Sequence, residues 1–161
     1  MEHHTNTNQY LFFINLNYMF VKIKKLKENA VIPKYAKDGD AGMDLIATDI
    51  ISENTKKITF GTGLAMEIPD GFVGLVFPRS SVRNYDLTLS NCVGVVDSGY
   101  RGELQVTFNK TNHSLQRVED YKIGDRIAQI IILPYPKVLF REVDELSSTE
   151  RGEGGFGSTG K

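Results

Sequence analysis

The chain has 161 residues, a net charge of −1 and one cysteine. That length suits one domain with a core of its own. Near-neutrality leaves no bulk field to draw in nucleic acid, though a small anion needs only local cations. One cysteine excludes an intrachain disulfide and fits a reducing compartment, cytoplasmic or nucleoplasm-like.

Residues 1–18 read as an N-terminal extension with little expected structure. Its apolar part, Tyr10–Phe20, is broken by Asn15 and Asn17. It falls short of the ~18 apolar residues a membrane helix needs, so no membrane partner is expected. With no Lys or Arg before Lys22, it also lacks the basic flank of a secretory signal. Met19 is a second candidate start, and the pair His3-His4 is too sparse for a metal site.

From Phe20 onward, short runs rich in Val, Ile, Leu and Phe alternate with turn signals. The expected strands are Phe20–Leu26, Ala30–Ile32, Met43–Thr48, Lys57–Phe60, Leu64–Ile68, Phe72–Phe77, Val93–Val96, Leu104–Asn109, Arg126–Leu133 and Val138–Val143. Asp38-Gly39-Asp40, Pro69-Asp70-Gly71, Asp97-Ser98-Gly99 and Ile123-Gly124-Asp125 mark turns between them. Helical periodicity is absent apart from a short piece at Ser80–Tyr85, entered after Pro78. The pattern predicts an all-β sandwich or barrel over residues 19–150, without repeat or linker. Cys92 lies in the apolar run NCVGVV and is expected to be a packed, inert thiol.

Residues 151–161, RGEGGFGSTGK, differ in character. Five glycines from Gly152 to Gly160 imply mobility when empty. A plain linker would not place Arg151, Phe156, Ser158, Thr159 and Lys161 among them. Those are two cations, a stacking ring and two hydroxyls, the parts of an arm that a ligand orders. The letters GFGSTGK match the G-x-x-x-x-G-K spacing of a phosphate loop, yet no helix follows to support one.

Four further stretches combine glycine with polar residues. They are AGMDL at Ala41–Leu45, PRSS at Pro78–Ser81, GVVDSGYRGE at Gly94–Glu103 and GDRIAQ at Gly124–Gln129. Singly, each has a structural explanation: Asp44 as a turn cap, Pro78-Arg79-Ser80 as a helix entry, Asp97-Ser98-Gly99 as a hairpin tip, and Arg126 as a surface ion-pair partner. In this order and spacing, with the terminal arm, they resemble the five motifs of the homotrimeric dUTP diphosphatase family. The resemblance runs from about Phe20 to Lys161. GVVDSGYRGE and RGEGGFGSTG are close to diagnostic.

The resemblance implies a jelly-roll subunit in a C3 homotrimer whose sites draw residues from more than one chain. It implies Mg²⁺-assisted hydrolysis of dUTP to dUMP and pyrophosphate by water attack at the α-phosphorus. Such a reaction limits uracil incorporation into DNA and supplies dUMP for thymidylate synthesis. Asp97 then aims and deprotonates the water, the alternative being a purely structural hairpin residue. Tyr100 packs under the deoxyribose and leaves no room for a 2′-hydroxyl, or else is a core tyrosine. Asn91 with Gly94, Val95 and Val96 reads the uracil edge. Arg79, Ser80, Ser81 and Gln129 belong to the phosphate grip, where Arg offers a planar fork for phosphate oxygens.

In the arm, Arg151 meets the terminal phosphate and Phe156 stacks on uracil. Gly157, Ser158 and Thr159 line the triphosphate, and a neighbouring chain supports the whole. Asp44 is associated with the site, near the metal-water shell in the family. Direct protein ligands to Mg²⁺ are not expected, since the ion is held mainly by the triphosphate and waters. Ser81 departs from the glycine that many members carry.

Two rival readings stay open. A dCTP deaminase-like enzyme shares the fold, but needs a general-base Glu where Leu104–Asn109 offers no carboxylate. A nucleotide-gated binding module would use the arm as a switch for a protein partner.

Overall fold

The computed structural model describes residues 19–111 and 120–155. Its elements in chain order are β1 (Lys22–Lys25), β2 (Met43–Ile46), β3 (Asp49–Glu53), β4 (Lys57–Gly61), β5 (Leu64–Glu67) and β6 (Phe72–Pro78). A 3-10 helix (Ser80–Asn84), β7 (Leu87–Leu89), β8 (Gly94–Val96), β9 (Gln105–Lys110) and β10 (Arg126–Pro134) follow. One four-stranded sheet has the order β2-β10-β6-β8, a second β3-β4-β9-β7, and β1 pairs with β5 in a ribbon. Every ladder among the described residues is antiparallel. The result is the all-β jelly-roll sandwich expected of the sequence.

The core lies between the two large sheets. Leu45, Val76, Ile127 and Ile130 come from the first, and Ile58, Phe60, Val106 and Phe108 from the second. Phe60 and Phe108 meet edge to face at 6.3 Å, and Tyr121 lies 5.5 Å from Phe108. Burying each such side chain contributes about 1.5–3 kcal/mol. Turns close where glycine takes a positive φ: Gly71 at +81° before β6 and Gly124 at +93° before β10.

β10 is the organising strand. It lies between β2 and β6, so Gln129 stands opposite Asp44 on one side and Phe77 on the other. A register irregularity falls between Arg126 and Ala128. Such a bulge re-aims a side chain without ending the pairing.

Several expectations need correction. Ala30–Ile32 and Val138–Val143 are not strands. Only Ala30 of the first is buried, held in a turn by its N–H bond to the Lys27 carbonyl. The second forms no ladder among the described residues, and Leu139 and Phe140 are 95% and 97% exposed. Conversely, β3 and β7 were not anticipated. β3 is an edge strand with exposed Ile50 and Ile51, so its face pattern is blurred. β7 alternates correctly, with Leu87 and Leu89 buried around exposed Thr88, but three residues are too few to show a period. The helical piece after Pro78 is present as the 3-10 turn.

Cys92 is exposed, not packed. The run NCVGVV is not a continuous strand. Cys92 N–H bonds the Leu89 carbonyl and Val93 N–H the Asn91 carbonyl, so the chain turns before β8 begins. Cys92 sits at φ +58° in that turn. No helix among the described residues is long and apolar enough to cross a membrane.

Phe108 is fully buried where the sheets meet. Phe108→Ala should destabilise the fold by about 3–5 kcal/mol, measured by denaturant unfolding. A loss near zero would show that the centre of the core lies elsewhere.

Candidate active site

The expected site residues fall into two groups and a separate arm. The first group is built on the β2-β10-β6 row. Arg79 follows β6 in extended conformation (φ −81°, ψ 155°) and precedes the 3-10 helix without capping it. Its side chain turns to β2 instead, with Nε donating to Asp44 Oδ1 at 2.6 Å. Arg126 Nη1 reaches Asp44 Oδ2 at 3.3 Å. One carboxylate therefore holds two guanidinium groups, with one oxygen for each.

Gln129 Nε2 donates to the Pro78 carbonyl at 3.0 Å, fixing the backbone just before Arg79. Gly42 lies against the same side chain: a Cβ there would sit 2.5 Å from Gln129 Oε1. Arg79 Nη1 also donates to Ser81 Oγ at 3.2 Å. Ser81 Oγ is in turn 3.5 Å from the Tyr121 hydroxyl. Burial pushes the Tyr121 phenol above its ordinary pKa, so it stays protonated at neutral pH. Ser80 begins the 3-10 helix beside these groups.

The second group lines a cavity of about 490 Å³ between the two sheets. Asn91, Gly94, Val95, Val96, Asp97 and Tyr100 all line it. β8 is the outermost strand of its sheet, paired only with β6, so its other edge offers backbone N–H and C=O groups to a ligand. Val95 is 64% exposed there. Gly94 is closely fitted, since a Cβ would lie 3.2 Å from Val76 Cβ and 3.3 Å from Asn91 Nδ2. Asp97 follows β8 directly, and its carbonyl accepts from Tyr100 N–H at 3.0 Å. Among the described residues, the Asp97 carboxylate has no hydrogen-bond or ion-pair partner.

Arg79, Ser80, Ser81, Asp44 and Gln129 are not among the residues lining this cavity. Within one chain, the cavity and the Arg79–Asp44–Arg126 cluster are lined by different residues. Arg151 belongs to neither: its Nε donates to the Gly154 carbonyl at 2.9 Å in an exposed turn. Phe156, Gly157, Ser158 and Thr159 lie outside the described residues, as does the extension 1–18.

Sequence reading missed three contributors. Arg126, for which a surface ion pair was one structural explanation, pairs beside the β10 bulge with Asp44, a carboxylate of another motif. Tyr121 lies outside every motif, and only the fold brings it to Ser81. Glu103 lines the cavity at the end of GVVDSGYRGE. Its carboxylate accepts from Gly63 N–H at 2.7 Å and faces Lys27 at 3.8 Å, so it is committed to the scaffold.

The family model described as dUTPase matches residues 28–160. The chain belongs to the dUTPase family. A deoxyuridine 5'-triphosphate nucleotidohydrolase of Nautilia profundicola is 45% identical over 145 residues, covering 89% of this chain and 100% of that protein. One from Thermobifida fusca is 42% identical over 142 residues, covering 87% of this chain and 78% of that protein. Among solved structures, a mutant dUTPase of Staphylococcus bacteriophage 80alpha with dUpNHpp is similar, with a TM-score of 0.75 and 28% identity. That match covers 88% of this chain and 99% of the phage chain. The dUTPase from phage phi11 of S. aureus gives a TM-score of 0.68 at 25% identity, covering 81% and 100%. All five stretches that carry the resemblance fall within the matched residues, apart from Lys161.

In a dUTPase-family chain, the Asp44 bridge sets where both guanidinium groups stand. Asp44→Asn should weaken a non-hydrolysable dUTP analogue about tenfold, near the ~1.4 kcal/mol scale of one charge-assisted hydrogen bond. Isothermal titration calorimetry reads this directly. Unchanged affinity would show that Arg79 keeps its place without Asp44.

Proposed function

We propose that this chain hydrolyses dUTP to dUMP and pyrophosphate by water attack at the α-phosphorus, as the soluble subunit of a cytoplasmic homotrimer. The observation that carries the reading is the cavity between the sheets. It places Asp97, whose carboxylate has no partner among the described residues, beside the ring of Tyr100 and the open edge of β8.

Each neighbour then has a task set by its chemistry. The β8 edge with Asn91 offers a fixed row of donors and acceptors to uracil. A pocket built on one such pattern rejects cytosine, because buried groups would be left unpaired. Tyr100 walls the sugar and excludes a 2′-hydroxyl. Asp97 orients the attacking water and takes its proton, a role typically worth about 10²–10⁴-fold.

The phosphate chain needs cations, and the cavity-lining residues supply few. Arg79, Ser80, Ser81 and Gln129 form a suitable grip, but they do not line that cavity. A trimer resolves this if the grip of one chain faces the cavity of the next. The arm, residues 151–161, then closes over a site built by its neighbours. Arg151 meets the terminal phosphate, Phe156 stacks on the base, and Gly157, Ser158 and Thr159 approach phosphate oxygens through amides and hydroxyls. Closing the arm excludes water and so strengthens each charge contact.

Among the described residues no cluster of three His, Cys, Asp or Glu side chains is placed to hold a metal ion. Both Asp44 oxygens are engaged by arginine. The described residues offer no such cage, and Mg²⁺ would be held by the triphosphate and its waters, where it would neutralise phosphate charge. The deaminase-like alternative loses support from Glu103, the carboxylate at the edge of the expected position, because it is tied to Gly63 and Lys27.

Asp97→Asn should lower turnover of dUTP about 10²–10⁴-fold while retaining affinity for a non-hydrolysable analogue. Pyrophosphate release and calorimetry measure the two, and near-normal turnover would remove Asp97 from the role. Deleting residues 151–161 should abolish most turnover without changing the thermal unfolding of the β domain. A truncated chain with full kcat would reject the closing arm.

A further inference from the structure

Tyr100 is held by a seat that none of the site assignments uses. Its ring is half-exposed at the cavity wall, yet it is fixed at three points. At its base, Tyr100 N–H bonds the Asp97 carbonyl at 3.0 Å, and Arg101 Nη1 donates to the carbonyls of Ser98 at 2.6 Å and Tyr100 at 2.8 Å. At its tip, the phenol donates to the Glu103 carbonyl at 2.9 Å. Beneath, the ring lies on Gly102. A Cβ there would stand 2.4 Å from the phenol oxygen, 2.6 Å from Cζ and 3.0 Å from Cε2. Gly102 is not among the glycines with positive φ, so the constraint is space and not backbone conformation.

The seat is itself anchored. Glu103 Oε1 accepts from Gly63 N–H at 2.7 Å and lies 3.8 Å from Lys27 Nζ. Lys27 also pairs with Asp49 at 2.5 Å, and Asp49 accepts from Thr48 Oγ1 at 2.8 Å. Lys27 holds the Asp49 carboxyl below its ordinary pKa, as a charge-assisted contact should. Gly61 leaves room for both carboxylates: a Cβ there would be 2.5 Å from Asp49 Oδ1 and 2.7 Å from Glu103 Oε1. The ring therefore connects through Glu103 to a network on β3 and the β4–β5 turn.

We propose that Gly102 is a specificity-determining position and Glu103 a positioning residue. Together they fix the height and tilt of the Tyr100 ring, and with it the exclusion of ribonucleotides. This rests on the reading of Tyr100 as the wall of the sugar pocket. A side chain at position 102 lifts the phenol from the Glu103 carbonyl, and the ring no longer closes the space that a 2′-hydroxyl would enter. Sub-ångström placement matters here, because discrimination by one hydroxyl depends on contact and not on charge.

The test compares kcat/KM for dUTP with that for UTP. Gly102→Ala should reduce the dUTP/UTP ratio at least tenfold, with the melting temperature within a few degrees of the parent. Tyr100→Phe, which removes only the phenolic tether, should move the ratio the same way by a smaller factor and remains informative if Gly102→Ala does not fold. Glu103→Gln should shift the ratio less than Gly102→Ala, since the backbone carbonyl remains. Tyr100→Ala is the control for the underlying reading. If it leaves the ratio unchanged, Tyr100 is not the sugar wall and that reading fails. If it lowers the ratio while Gly102→Ala and Tyr100→Phe do not, the seat is overturned and the wall stands. A purely structural role would lower the melting temperature and leave the ratio alone.

Discussion

The placement of β10 between β2 and β6 is the constraint on which the rest depends. Antiparallel register across two ladders leaves no freedom in which residues stand side by side. It puts Gln129 opposite Asp44 and Phe77 together, and so brings three motifs, far apart in sequence, into one row. The bulge at Arg126 adds a fourth group. A one-residue slip would turn each of these side chains to the other face. The buried residues Ala128 and Ile130, two apart on the strand, oppose that slip by fixing which face meets the core.

The same sheet also makes the cavity. β8 lies at its far edge, and Gly74 and Gly94 allow β6 and β8 to meet closely. A Cβ on Gly74 would stand 3.2 Å from Val96 Cβ, and one on Gly94 would stand 3.2 Å from Val76 Cβ. The cavity thus has a closely packed wall, an open backbone edge and the Asp97 carboxylate, which has no partner among the described residues. The Arg79–Asp44–Arg126 cluster does not line that cavity. The proposed cyclic assembly would join the two, since one interface repeated by rotation completes every site.

Much of this was legible in the sequence. Alternation and turn chemistry gave the all-β class and most strands, because β6, β9 and β10 are long enough to show their pattern. The five motifs marked the candidate residues, since glycine beside a charged or hydroxyl residue inside a strand-rich chain is an unusual juxtaposition. What was not legible has physical causes. β7 is too short for a period to emerge. Val138–Val143 has strand composition, but composition cannot say whether an edge lies beside it. Cys92 sits in an apolar run that a turn interrupts, and Val93 carries no letter that signals one. Tyr121, Arg126 and Glu103 gain their partners only through long-range register, and the space over Gly102 exists only once Tyr100 has folded back upon it.

The central claim is that the Arg79 grip and the Asp97 cavity of different chains make one site. Subunit complementation tests it most directly. Arg79→Ala and Asp97→Asn chains, each inactive alone, are mixed under conditions that exchange subunits. If the site is shared, mixed assemblies contain intact pairs of Arg79 from one chain and Asp97 from another, and dUTP hydrolysis returns. If activity stays absent in assemblies shown to contain both variants, the two groups act within a single chain and the account is wrong.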